Sequence, residues 1–129
     1  MKIVRISKVG LEVSELCFGT ITMGRLQANL SPVEGGKVIR KALDRGVTFF
    51  DTAQTYGSYS HLREGLKGWT DKVVVASKSL KASYKDMKNA VEEALKEMNL
   101  KRIAIFHLHL IKSKEDFLRR EGALECLLD

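Results

Sequence analysis

Apolar and polar positions change period several times along the chain, and each change marks the boundary of an element. Residues 2–14 alternate in two short pieces, Lys2-Ile3-Val4-Arg5-Ile6 and Leu11-Glu12-Val13-Ser14, around Val9-Gly10, which predicts a β-hairpin. Glu15-Leu16-Cys17-Phe18-Gly19 reads as a buried strand, and a long loop runs from it to Leu30. Ser31-Pro32-Val33-Glu34 then predicts a helix start. Serine supplies the cap, proline suits the first turn, and the glutamate three positions on completes a capping box. Val38, Ile39, Ala42 and Leu43 form the apolar stripe of this helix and Gly46 ends it, while Gly35 and Gly36 weaken its first turns.

The same alternation recurs downstream. Val47-Thr48-Phe49-Phe50-Asp51 predicts a strand, followed by a short helix from about Tyr59 to Lys67 with Leu62 and Leu66 four apart and Gly68 behind it. Val73-Val74-Val75-Ala76-Ser77-Lys78 predicts the next strand, and Ser83-Tyr84-Lys85-Asp86 opens a helix running to about Met98. Met87, Val91 and Leu95 share one face of that helix, with Ala90 and Ala94 beside them. Ile103-Ala104-Ile105-Phe106-His107-Leu108-His109 is a further strand, leading through a polar loop to a last helix with Leu124, Leu127 and Leu128. Four strands alternating with four helices, and apolar throughout, predict a parallel sheet covered on both faces. Residues 1–129 are read as one domain, with the hairpin at 2–14 and βα units over about 15–129. The Gly-x-Gly-x-x-Gly turn of an open doubly wound sheet is absent, which favours part of a (β/α)8 TIM barrel. A whole barrel takes about 250 residues, and this chain supplies roughly half.

Composition narrows the classes without choosing among them. A hydrophobic fraction of 44% and a charged fraction of 29% suit a soluble globular domain. No apolar run is long enough for a membrane span, and Met1-Lys2-Ile3-Val4-Arg5 does not begin a signal peptide. Cys17 falls in a strand pattern and Cys126 in a helix pattern, far apart and without metal spacing. Both are expected to be buried thiols in a reducing compartment, which points to the cytoplasm. The net charge of +6 comes from scattered lysines and arginines with no basic block, so neither a nucleic-acid nor a membrane partner is expected.

The chemistry concentrates at strand ends. Asp51, Lys78 and His109 close three successive strands, and Tyr56 lies in the loop after Asp51. In parallel α/β folds the C-terminal strand ends are where active sites are built. By alternation Phe49 and Asp51 share one face, as do Val74, Ala76 and Lys78, and Ile105, His107 and His109. Tyrosine is a weak acid with a pKa of about 10. A neighbouring ammonium favours its phenolate and brings it into range as a general acid. Asp51 would hold Lys78 charged and in place, and a neutral His109 could donate a hydrogen bond to a substrate carbonyl. The set suits reduction of a small carbonyl compound, with hydride from a borrowed cofactor. Taken singly, each residue has an ordinary account: a turn cap, a surface lysine, a loop tyrosine, a core histidine. His107-Leu108-His109 also places two imidazoles on one strand face, as a metal-dependent hydrolase would, but no further ligand cluster accompanies them.

The strings Leu16-Cys17-Phe18-Gly19-Thr20, Gly46-Val47-Thr48-Phe49-Phe50-Asp51-Thr52-Ala53-Gln54-Thr55-Tyr56-Gly57, Ala76-Ser77-Lys78 and Ile105-Phe106-His107-Leu108-His109 together resemble the aldo-keto reductase family. The likeness covers essentially the whole chain, and Phe-Asp-Thr-Ala-x-x-Tyr-Gly is its most specific part. It implies the N-terminal half of the family's barrel, with the hairpin closing the barrel bottom. It also implies NADPH-dependent reduction of an aldehyde or ketone, with Tyr56 as general acid, Lys78 and Asp51 as its tuning partners and His109 orienting the carbonyl. Gly19 and Thr20, with Asp51, would lie near the nicotinamide. Leu26-Gln27-Ala28-Asn29-Leu30-Ser31-Pro32 is similar to a loop of the subgroup that carries a C-terminal iron–sulfur region. Ala104 stands where many relatives have aspartate. In the family, most groups that grip the cofactor lie in the second half of the barrel, so the NADPH site of this chain is expected to be incomplete. A rival expectation is a truncated, non-catalytic half-barrel that binds a partner or forms a homo-oligomer through its exposed strand edges.

Overall fold

The computed structural model describes residues 1–6 and 8–129; Ser7, inside the predicted hairpin, lies outside the described residues. Strands β1 (Ile3–Ile6) and β2 (Leu11–Ser14) pair antiparallel in the expected hairpin. A parallel sheet follows, in the order β3 (Cys17–Gly19), β4 (Phe49–Asp51), β5 (Val74–Ser79) and β6 (Ile105–Leu108). Between the strands run α1 (Pro32–Asp44), α2 (Tyr59–Gly65) and α3 (Tyr84–Met98), and α4 (Lys114–Leu118) and α5 (Glu121–Leu128) follow β6. Sheet neighbours are also neighbours in sequence, which is the connectivity of a (β/α) barrel and not of a doubly wound sheet.

Local chemistry sets the helix boundaries. Ser31 Oγ accepts the Glu34 amide at 3.3 Å while a Glu34 carboxylate oxygen accepts the Ser31 amide at 3.0 Å, the reciprocal capping box read from the sequence. Ser83 and Ser113 cap α3 and α4 more simply, each side chain accepting one amide at 3.1 Å. Asn99 ends α3 in the left-handed conformation at φ +55°.

Alternation along the strands divides the sheet into two unlike faces. Phe50 and Val75 pack with Ile39, Leu43, Leu62, Leu66, Ala94 and Met98 in one core, with Phe18 and Phe106 against it. Phe50, Ile39, Leu62 and Leu66 are wholly shielded from water. Each such side chain contributes about 1.5–3 kcal/mol of hydrophobic stabilisation. The opposite face carries Cys17, Phe49, Asp51, Lys78, Ile105 and His107, all exposed or half-buried, and on the strands only Val74 and Ala76 are buried there. The expected cover on both faces is therefore corrected: helices cover one. Apolar residues occur on both faces because a barrel lines its interior with them, and four strands leave that interior open. The expectation of buried thiols fails as well: Cys17 is exposed because it falls on the open face, and Cys126, on α5, is half-buried.

Two details were read differently in the sequence. Val38 belongs to the α1 stripe but is exposed. Gly35 and Gly36, weak helix formers as they are, also mark where α2 lies against α1. A Cβ on Gly35 would stand 2.1 Å from His61, one on Gly36 2.7 Å from Glu64, and one on Gly65 2.5 Å from Ile39. At the other end of the sheet, Ser14 fastens the hairpin to β4. Its hydroxyl accepts the amides of Thr48 at 3.0 Å and Phe49 at 3.2 Å and donates to the Leu16 carbonyl at 2.7 Å.

Candidate active site

Parallel pairing puts the ends of β3, β4, β5 and β6 on one rim. Gly19 pairs with Asp51, Asp51 with Ala76, and Lys78 with His107. His109 stands just beyond β6, its amide donating to the Ser79 carbonyl at 2.9 Å. Lys78 Nζ donates to Asp51 Oδ1 at 2.6 Å and to the Thr52 carbonyl at 2.7 Å. The same ammonium lies 4.9 Å from the centre of the Tyr56 ring. That ring meets His109 edge to face, with centroids 5.8 Å apart and an interplanar angle of 79°. The structure thus brings Asp51, Tyr56, Lys78 and His109 into one contiguous group.

The loop that presents Tyr56 is held from below by hydroxyls. Ser58 Oγ is 2.8 Å from Thr20 Oγ1 and 3.0 Å from Thr52 Oγ1, and all three residues are fully buried. Burial makes these bonds difficult to exchange for water, so the loop is fixed relative to β3 and β4. Gly24 presses on the same loop, because a Cβ there would stand 1.9 Å from the Tyr56 carbonyl oxygen. The expected cofactor-side residues separate in consequence. Gly19 is exposed beside Asp51 with nothing within 4 Å of where its Cβ would be, an open surface with room for a flat ring. Thr20 turns its side chain away into the hydroxyl cluster.

His109 is 8% exposed, and its Nδ1 is buried without a hydrogen-bond partner. Burial, then the Lys78 ammonium, lowers its pKa below 6.5; Asp51 opposes this and Arg120 adds to it. The ring is therefore neutral near pH 7, able to donate one hydrogen bond. A phenol hydroxyl and a neutral imidazole side by side, with an ammonium against the phenol ring, can supply a proton and a hydrogen bond to the same substrate oxygen. Among the described residues no group of three or more His, Cys, Asp or Glu could hold a metal ion. His107 is exposed on the open face, paired across the strands with Lys78.

Sequence reasoning missed Arg120, whose Nη1 donates to the His109 carbonyl at 2.7 Å. The only trace of it in the sequence is the four-residue spacing from Asp116, the carboxylate that grips its guanidinium. It also missed Gln54, which accepts from Ser79 Oγ at 2.8 Å and donates to Glu93 at 2.7 Å, tying the Tyr56 loop to β5 and α3.

Residues 15–129 match the sequence profile of the Aldo/keto reductase family. The Glycine max protein named "Probable aldo-keto reductase 1" is 29% identical over 98% of this chain and 41% of its own length. L-galactose dehydrogenase of Arabidopsis thaliana is 27% identical over 83% of this chain and 37% of its own length. A solved Pseudomonas aeruginosa protein, provisionally named an aldo-keto reductase, superposes with a TM-score of 0.84 at 26% identity, covering 98% of this chain and 54% of that one. The Bombyx mori aldo-keto reductase, solved in complex with NADP, shares the fold with a TM-score of 0.75 at 18% identity, covering 96% of this chain and 45% of that one. The chain thus spans less than half the length of the curated relatives it matches. In sequence profile and in fold, the chain belongs to the aldo/keto reductase family.

Proposed function

We propose that this chain carries the proton-transfer site of an NADPH-dependent carbonyl reductase. The observation that supports it is the placement of the Lys78 ammonium, shared between Asp51 Oδ1 and the face of Tyr56, with His109 against the same tyrosine. NADPH, when bound, supplies hydride to the carbonyl carbon of an aldehyde or ketone. The carbonyl oxygen gains negative charge as that bond forms and must take a proton. Tyr56 gives its hydroxyl proton to that oxygen and is reprotonated from solvent. Lys78 stabilises the negative charge left on the phenol oxygen, and Asp51 keeps the ammonium charged and aimed. Neutral His109 donates a hydrogen bond to the same oxygen and fixes its direction.

The residues present fit the reacting end of the cofactor: Gly19 leaves open surface beside Asp51, within the rim that holds the proton donors. Groups that would grip the phosphates belong, by family resemblance, to the second half of the barrel. Both cysteines are free thiols, which suits a reducing compartment such as the cytoplasm. NADPH titration followed through Trp69 fluorescence tests cofactor binding, and carbonyl-dependent NADPH oxidation tests turnover. Replacing Tyr56 with Phe is expected to lower kcat/KM by about 10²–10⁴-fold, the range for loss of a general acid. Turnover undiminished in Tyr56→Phe would overturn the assignment.

The second reading is a binding or dimerisation module. It draws on the sheet order, which leaves β3 and β6 as edges and one face open. Absence of NADPH binding, together with concentration-dependent dimerisation in sedimentation velocity, would favour it over the reductase.

A further inference from the structure

We propose that Arg120 is a positioning residue for His109, clamping the histidine backbone from the helix side while β5 holds it from the sheet side. The inference rests on the reductase reading for its catalytic meaning, although the clamp itself is a matter of geometry. His109 is the last residue bonded into the parallel ladder, through its amide to Ser79. Leu110 follows at φ +55°, a left-handed conformation that a branched side chain rarely adopts, and it turns the chain away from the sheet. The turn removes the His109 carbonyl from the ladder and delivers it to Arg120 Nη1 at 2.7 Å. Both sides of the His109 peptide backbone are thereby fixed.

The arginine is itself immobilised. Its Nε donates to Asp116 Oδ1 at 3.1 Å and its Nη2 to Asp116 Oδ2 at 3.2 Å, a two-pronged pairing that sets the plane of the guanidinium. Asp116 Oδ2 also accepts the Lys112 amide at 3.1 Å, and the Asp116 amide donates to Ser113 Oγ at 3.1 Å. Arg120 and Asp116 side chains are each only 12% exposed. An ion pair withdrawn from water to this degree is a poor device for stability alone, since desolvation offsets much of its attraction. It is a good device for holding one donor at one place.

The charged and titratable groups facing His109 are Asp51 on β4, Lys78 on β5, Tyr56 in its loop, and Arg120 in the turn between α4 and α5, itself held by Asp116 of α4. Arg120 adds to Lys78 in disfavouring the imidazolium. The Lys112 amide, then the two neighbouring arginines, holds the Asp116 carboxyl below its ordinary range, so the clamp stays ionised into acid. In function, the clamp would keep a neutral, directed imidazole at the substrate oxygen.

The test uses the whole chain and the nitrogen-15 spectrum of its three histidine rings. In Arg120→Met, the His109 pKa is expected to rise toward the ordinary value and its ring resonances to shift or broaden, while the His61 and His107 ring resonances keep their positions. Arg120→Lys keeps the charge but not the fork, and is expected to retain the lowered pKa while the ring resonances still broaden. Should Arg120→Met fail to fold, Asp116→Asn removes the grip at nearly constant shape and is expected to broaden the same resonances. A folded Arg120→Met or Asp116→Asn protein whose His109 spectrum matches the parent would overturn the clamp. Turnover separates the two readings. If the reductase reading holds, Arg120→Met lowers kcat by about 10-fold or more with little change in KM, within the ~10²-fold that a misplaced group costs. If the spectrum changes in a chain that never turns over, the clamp stands and the reductase reading fails.

Discussion

Cys17 reports on the field of the candidate site from two positions before Gly19 on the same strand face. Although the residue is exposed as a whole, partial desolvation of its sulfur, and then the Asp51 carboxylate, push the thiol up to about 11, with Lys78 opposing. Alkylation by iodoacetamide is therefore expected to be slow at pH 8 and to rise only as the pH nears the thiol pKa. Asp51→Asn should accelerate it and Lys78→Met should slow it further; equal rates in all three proteins would mean that the ion pair does not act at this face. His109 gives a second pH signature. Its folded pKa lies below the unfolded 6.5, so the unfolded chain takes the proton first as the solution is acidified. Stability is expected to fall with pH from about 6.5 down to the folded value, and this group is expected to leave it unchanged above about 6.5. Thermal melts of His109→Gln should lose that part of the acid dependence. Asp51, Tyr56 and Lys78 were legible because each lies at or near a strand end in a motif readable along the chain. Arg120 was not, because its partner is a backbone carbonyl eleven residues away and a sequence shows no carbonyl directions.

Elements were easier to read than the contacts between them. Caps act within one turn, so Ser31 with Glu34 and Ser83 with Asp86 predicted the starts of α1 and α3 correctly. Packing joins distant segments, and there the same residues changed meaning. Gly35 and Gly36, read as weak helix formers, make the seam with α2 in company with Gly65. Gly65→Ala should gain helix propensity, yet its methyl would stand 2.5 Å from Ile39. A net loss of about 1–3 kcal/mol is expected from overpacking. Gly68→Ala meets no neighbour but requires φ +79°, and should cost about 1 kcal/mol through backbone strain alone. Urea midpoints of the two variants decide between these causes, and a stabilised Gly65→Ala would show that the seam is loose.

For the molecule as a whole, the strand-by-strand order was legible from alternation, while the open face was not. A strand destined for a barrel interior and one covered by helices on both sides spell the same run of apolar letters. Ile105 sits half-buried on the open face of edge strand β6. Ile105→Lys is expected to reduce any self-association of the chain without changing its circular dichroism, since charge on an edge opposes strand pairing. Sedimentation velocity across concentration would show it, and unchanged association would place the contact elsewhere. Family membership fixes how the strands are arranged, but what the rim binds must still be decided by its own residues.

The hairpin anchor sets the depth of the fold. Thr48 and Phe49 amides find their acceptor in a side-chain oxygen, not in a neighbouring strand, so one hydroxyl decides where the sheet begins. In deuterium exchange these two amides would mark the lower boundary of the protected sheet. Ser14→Ala should unprotect them while leaving Phe50 and Val75 slow, and the lower end of the fold would breathe independently of its chemical end.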